Sequence, residues 1–393
     1  MTLREKIVQE IRELGPIPFS RYMELCLYDP ELGYYSRSAE QFGKAGDFYT
    51  SSDVHAVFGR LMARQFEEMW RALGSPKQIE ILELGPGRGL FAQDVLDWSE
   101  KKFPEFFSAL RYLLAEQSPA LQKRLREILS QQFAADKVSL ASFFAEIDPA
   151  AAEQAERAPQ GRMNPGSEAP VIIFANEFFD ALPVEVLSRH GELRIAEKDG
   201  RFVETWAPAS AGEQSFLDRH SVHPEEEERI EAPLIAQRYM AEAAASIQRG
   251  FLIAIDYGYT RDQLLAGRHR GTVMAYRQHS VGTNPYEAPG EQDITAHVNF
   301  TALAAAAEQQ RMHVQPLLTQ SQFLMGIGER NQFADAFEEC RLPQERAKVA
   351  LQLKHLVTPA GMGETFHVLV ASKGIAPDAV SCLSGLRFGK SHL

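Results

Sequence analysis

The stretch Ile79–Gly89, I-E-I-L-E-L-G-P-G-R-G, constrains this chain more than any other. Six residues of mostly apolar strand end in an acid and then three glycines at alternate positions, Glu83-x-Gly85-x-Gly87-x-Gly89, before a helix-compatible run, Leu90–Trp98. Glycines at a strand end let the backbone turn tightly and approach a ligand closely. Dinucleotide-binding folds space them G-x-G-x-x-G to set a pyrophosphate on a helix N-terminus. Here the third glycine comes one residue early, and the carboxylate of Glu83 would repel a pyrophosphate. An acid in that place suits a cationic ligand. The competing reading is a tight strand-to-helix turn that binds nothing.

The pattern around this loop sets the fold class. Apolar runs at 79–84, 111–115, 137–140, 171–175, 251–255 and 366–372 alternate with helical segments. Such runs imply a parallel sheet covered on both faces, an α/β fold whose chemistry sits at the carboxyl ends of its strands. Glu83, Glu116, Glu177 and Asp256 each fall at or just past such an end. Before the sheet, Thr2-x-x-Glu5 predicts a capping box over a helix with Leu3, Ile7, Ile11 and Leu14 on one face, stopped by Gly15-Pro16. A second amphipathic helix is expected over 58–73. Residues 149–169 read as a mobile insertion, residues 185–208 as an added hairpin, and the glutamate run at 225–228 as a solvated loop.

With 393 residues and 45% apolar content, the chain has room for one large domain with insertions or for two domains. Its net charge of −12 argues against non-specific nucleic-acid binding. Cys26, Cys340 and Cys382, odd in number and far apart, fit a reducing compartment. No apolar run reaches membrane-span length, so no membrane insertion is expected. The expected location is the cytoplasm of a bacterial-type cell, or an organelle matrix if a targeting segment is lost. The sequence sets no oligomeric state.

Several long motifs together resemble one family. They are C-L-Y-D-P-E-L-G-Y-Y (Cys26–Tyr35), G-D-F-Y-T-S-S-D-V-H-A-V-F-G (Gly46–Gly59), the E-L-G-P-G-R-G loop, A-N-E-F-F-D-A-L-P-V (Ala175–Val184), I-D-Y-G-Y (Ile255–Tyr259), D-I-T-A-H-V-N-F (Asp293–Phe300) and T-Q-S-Q-F-L-M-G-I-G (Thr319–Gly328). The chain is similar to the S-adenosyl-L-methionine (SAM)-dependent methyltransferases related to the mitochondrial complex I assembly methyltransferase, the MidA-type proteins. The resemblance implies a class I (Rossmann-like) methyltransferase sheet with an N-terminal helical and loop cap and an inserted α+β subdomain. The expected division is a cap at 1–75, halves of the SAM-binding domain at 76–184 and 251–393, and an insertion at 185–250. The implied cofactor is SAM. The implied activity is like that of protein arginine methyltransferases, with a protein substrate such as a respiratory complex I subunit. The mitochondrial relative works in the matrix. Two alternatives stand beside this: transfer to a small-molecule or non-arginine acceptor, and a non-catalytic assembly factor that binds a respiratory subunit. The chain departs from the family at Ser52-Asp53, where Pro-Glu is common. It also lacks an acid after the third strand, at Val138–Ser142, so the adenine contact is not assigned.

The site residues follow from chemistry and position. Glu83 is expected to hold the methionine ammonium through a charge-assisted hydrogen bond. Gly85, Gly87 and Gly89 give the cofactor close approach, and Pro86 stiffens the turn. Glu116 is expected on the ribose hydroxyls, against a reading as a surface acid that starts the Ser118-Pro119 turn. By resemblance Gly46, Asp47 and Phe48 fold over the cofactor; an ordinary Asx turn competes. Asn176, Glu177 and Asp180 are the catalytic candidates. A guanidinium is always protonated, and carboxylates gripping two of its nitrogens would present the third. Phe178 and Phe179 shape a slot or fill core. Asp256 and Tyr257 are expected on the acceptor side. Tyr28, Tyr34 and Tyr35 either pack the cap or flank a guanidinium. Tyr276, His279, Asp293 and His297 are read first as braces of the added subdomain. No metal is expected: His220-x-x-His223 lacks further ligands at fitting spacing. The Gly385–Ser391 stretch is no phosphate loop, since Ser384 takes the leading glycine position and no helix can follow. No nucleophile elbow is present.

Overall fold

The computed structural model describes residues 1–36, 56–142, 169–265, 267, 271–277, 280–282 and 284–388. They fall into two compact units. One takes the described residues of Met1–Phe48, Glu177–Glu242 and Tyr257–Gln309; the other takes those of Tyr49–Asn176, Ala243–Asp256 and Gln310–Leu393.

The second unit carries the expected parallel sheet. Its main strands are β1 (Ile79–Leu84), β2 (Leu110–Ala115), β3 (Val138–Leu140), β4 (Val171–Asn176), β5 (Gly250–Tyr259, its last three residues counted in the first unit) and β6 (Phe366–Lys373). Their spatial order is β3-β2-β1-β4-β5-β6, and all four pairs from β3 to β5 are parallel. The order reverses at β1, which lies between β2 and β4. In open α/β sheets this switch point opens the crevice that receives ligands. Continuous apolar strands are required because helices bury both faces. Ile79, Ile81, Ile172 and Ile253 are fully buried, and Phe91 of the helix Leu90–Lys102 stacks on Phe174 of β4 at 4.6 Å. The helix Ala56–Ala72 turns Phe58, Leu61, Met62, Phe66 and Met69, the stripe expected from the sequence, entirely inward.

β5 differs from expectation. The sequence pattern ends it at Asp256, yet the strand runs through to Tyr259. The reason is a new partner: where β4 stops, Val298 and Asn299 take up the ladder opposite Gly258 and Tyr259. Gly258 is needed there, since a Cβ would lie 2.1 Å from the Val298 carbonyl oxygen.

The first unit is built on an antiparallel sheet. Strands Glu185–Ser188, Gly191–Lys198 and Arg201–Ala207 form the expected addition; Ile230–Ala232 pairs with the first of them and Ile17–Pro18 with the second. The helix Leu3–Leu14 starts with the predicted capping box and lays Leu3, Ile7 and Ile11 into a core shared with Val186, Leu193 and Ile195. A separate three-stranded sheet centres on Met274–Arg277, flanked by Ser280–Gly282 and Asp293–Thr295. The glutamate run at 225–228 is loop, as expected. The insertion expected at 149–169 lies almost wholly outside the described residues.

Candidate active site

Glu83 is the next-to-last residue of β1, at the switch point, and only 4% of it is exposed. Its Oε2 accepts a hydrogen bond from the Tyr112 hydroxyl at 2.9 Å. Burial pushes the carboxyl up to about 8, and the tyrosine bond offsets only part of that. A buried acid in this condition gains from a cation laid against it.

The glycine loop begins one residue later. Gly85 donates to the Ala115 carbonyl at 3.0 Å, which ties the loop to the end of β2, and Gly89 closes the turn onto Pro86 at 2.9 Å. Gly87 and Gly89 have φ values of 52° and 78°, in the left-handed region. The two serve different ends. A Cβ on Gly89 would lie 2.5 Å from Leu125 Cδ2, so this glycine lets one helix pack close on the loop. A Cβ on Gly87 would meet nothing within 4 Å among the described residues, so this glycine borders space that they leave open.

Glu116 follows β2 and turns toward the same loop. Its carboxylate accepts from the Ser118 amide at 2.9 Å and from the amides of Gln117 and Gly87. Burial nonetheless raises it to about 7. Ser118 caps the helix Pro119–Ile128, so the turn expected from the sequence is also present. Two raised carboxyls, Glu83 and Glu116, thus flank a glycine loop with open space at Gly87. This arrangement fits a ligand with a cationic end and a vicinal diol, as the methionine and ribose parts of SAM have. Asn176 ends β4 and stands beside Ile255 of β5, and Asp256 is 1% exposed.

The other candidates belong to the first unit. Glu177 has φ +50°, a strained backbone for a non-glycine residue. Phe179 is buried and Phe178 half-buried; their rings meet edge to face at 5.2 Å, and Phe178 lies 6.0 Å from Tyr239. Asp180 is 4% exposed, lies near the Tyr257 hydroxyl, and is raised to about 6 by burial. The Tyr257 ring meets that of His297 edge to face at 5.2 Å. Within this unit the structure therefore brings Asp180 near Tyr257, residues far apart in sequence. Gly46, Asp47 and Phe48 lie outside the described residues, as does His279. His223 is paired with Asp218 at 2.8 Å, and the His220 carbonyl accepts from Asn299. Sequence reasoning missed Tyr112. The available signal was a tyrosine inside a buried strand, whose hydroxyl needs a partner.

Comparisons with known proteins agree with this geometry. The sequence pattern of one family, described as S-adenosyl-L-methionine-dependent methyltransferase, matches residues 61–317. A solved structure from Burkholderia thailandensis, bound to S-adenosyl-homocysteine (SAH), has a TM-score of 0.80 and 28% identity. It covers 97% of this chain and 94% of that one. The Drosophila melanogaster protein named protein arginine methyltransferase NDUFAF7 homolog, mitochondrial, is 28% identical over 95% of this chain and 85% of its own length. The Homo sapiens protein arginine methyltransferase NDUFAF7, mitochondrial, is 25% identical over 92% of this chain and 81% of its own.

Proposed function

Because this chain belongs to the family of S-adenosyl-L-methionine-dependent methyltransferases, we propose that it methylates a protein on the guanidinium of an arginine side chain. When bound, SAM supplies an electrophilic methyl group on a sulfonium. Glu83 holds the methionine ammonium, Glu116 the ribose hydroxyls, and the backbone of Gly85, Pro86, Gly87 and Gly89 borders the cofactor. The observation that carries the cofactor part is the buried Glu83 carboxyl at the switch point of the sheet, raised by burial and with no cationic partner among the described residues.

On the acceptor side, Glu177 and Asp180 hold two guanidinium nitrogens and leave the third for attack. Asn176 accepts or donates at the acceptor, and Asp256 with Tyr257 lines its path. The guanidinium nitrogen loses one proton in the transfer. Asp180 accepts it, a role that its carboxyl, raised to about 6, supports. The names of the curated relatives support an arginine acceptor, and the family resemblance favours a respiratory-chain subunit. Three free cysteines, Cys26 among them fully buried, support a reducing, cytoplasmic location. Among the described residues no helix is long and apolar enough to cross a membrane.

The test is transfer of tritium from labelled SAM into the proteins of a lysate from cells lacking this gene, followed by acid hydrolysis. Labelled methylarginine is the expected product. Label recovered only in other residues or in small molecules would overturn the arginine reading.

A further inference from the structure

Several groups given no part in the reaction above converge around Asp180 in its own unit. Tyr35 donates to Asp293 Oδ1 at 2.8 Å. The Tyr35 ring lies 5.5 Å from that of Tyr28, whose hydroxyl donates to the Ala181 carbonyl at 2.9 Å. Asp293 opens the strand Asp293–Thr295, and Tyr276 stands directly opposite it in the antiparallel ladder, so both side chains rise from one face. Just past that strand, the Ala296 amide donates to the Asp180 carbonyl oxygen at 2.9 Å. Asp180 and Asp293 both act electrostatically on the hydroxyls of Tyr35 and Tyr276. The two acids are shut in, at 4% and 5% exposed, while Tyr28, Tyr35 and Tyr276 are only half-buried. Like charges brought together out of water disfavour one another unless a cation joins them.

An independent observation points the same way. Strand alternation sets Thr295 on the same face as Asp293. Thr295 is 2% exposed, and its hydroxyl oxygen has no hydrogen-bond partner among the described residues. Leaving such a group unsatisfied costs about 1–3 kcal/mol, a cost that a ligand's polar group would remove.

We propose that Asp180, Asp293 and Thr295, walled by Tyr35 and Tyr276, form the subsite that grips the acceptor, and that it selects a planar guanidinium over an ammonium. A guanidinium presents its five donors as a flat fork, able to reach two carboxylates and a hydroxyl at once while its faces lie against aromatic rings. An ammonium is a compact point charge and matches fewer of these groups. Tyr35 acts through Asp293, fixing its carboxylate, and is a positioning residue. The inference rests on the reading of the reaction as arginine methylation, and it adds Asp293 and Thr295 as residues that touch the substrate.

The test uses the full chain saturated with SAH and a matched pair of probes, N-butylguanidine and n-butylamine, titrated by calorimetry. Wild type should bind the guanidine at least tenfold more tightly than the amine. Asp293→Asn should weaken guanidine binding tenfold or more, Asp293→Glu should restore part of it, and Tyr35→Phe should weaken it about threefold, all with SAH affinity within twofold. Should Asp293→Asn lose SAH binding through misfolding, Tyr35→Phe and Thr295→Val carry the test. Equal binding of the two probes, absence of guanidine binding in wild type, or indifference of that binding to Asp293 and Tyr35 would each overturn the subsite. The labelling experiment above separates the two ideas. Methylarginine formed with unchanged KM in Asp293→Asn removes the subsite and leaves the reaction. Guanidine binding that depends on Asp293, without methylarginine in wild type, removes the reaction and leaves the subsite.

Discussion

At the residue scale, Glu83 is a carboxyl that burial keeps largely protonated near neutrality. Its bond to a cationic ligand needs the ionised form, so binding at pH 7 should release a proton. Affinity for SAM should then climb as pH rises toward 8, by at most about tenfold per pH unit, and level off above it. Calorimetry in buffers of differing ionisation enthalpy measures both effects; flat affinity from pH 6 to 9 would contradict them. Glu83→Gln removes the charge and keeps the shape. A hydrogen bond to a charged group is worth about 1.5–3 kcal/mol, so this variant should lose roughly 10- to 100-fold in SAM affinity. Glu177→Gln should do the opposite, keeping SAH affinity while labelled transfer falls by about 100-fold or more. Unchanged turnover would remove Glu177 from the reaction.

At the element scale, the loop between β1 and the helix Leu90–Lys102 separates fold from binding by position. Gly89→Ala places a Cβ against Leu125 at a left-handed φ, so it should destabilise the protein by about 1–3 kcal/mol, read as a lowered unfolding midpoint. Gly87→Ala meets none of the described residues and should cost about 1 kcal/mol of backbone strain, yet abolish most SAM binding by occupying the cofactor's room. Melting curves with and without SAH tell the two apart. The strands of the central sheet were legible in the sequence because burial on both faces demands unbroken apolar runs, as in Val171–Ala175. The end of β5 was not, because Asp256 and Gly258 look like a stop until Val298 and Asn299 supply a ladder partner from far along the chain. The acid that follows the glycine logic, Glu83, could be read from spacing. Its partner Tyr112, and the meeting of Tyr35 with Asp293, depend on pairings between segments that no local pattern reveals.

At the scale of the whole molecule, buried acids set how stability follows pH. Glu83 is raised to about 8, Glu116 and Glu185 to about 7, Asp94 and Asp180 to about 6. The unfolded chain releases these protons near pH 4, so the folded state binds more of them above that point. Their contribution to stability is therefore complete below pH 4 and is lost as pH rises through 6 to 8. The unfolding midpoint of the ligand-free protein should fall between pH 5.5 and 8.5, and saturating SAH should flatten the fall, both readable by scanning calorimetry; a midpoint rising over that range would contradict this account. The acids lowered by cationic neighbours, Asp29, Glu204 and Glu339, act only below that window. The strand Ile17–Pro18 has a further consequence, for synthesis. Its ladder partners are Ile195 and Arg194, so it leaves the ribosome well ahead of the residues that complete it. At about 5–20 residues per second that delay is on the order of ten seconds or more. Throughout it, Leu3, Ile7 and Ile11 of the first helix lack the part of their core that Val184 to Ala296 later supply, so their apolar stripe stays open to water.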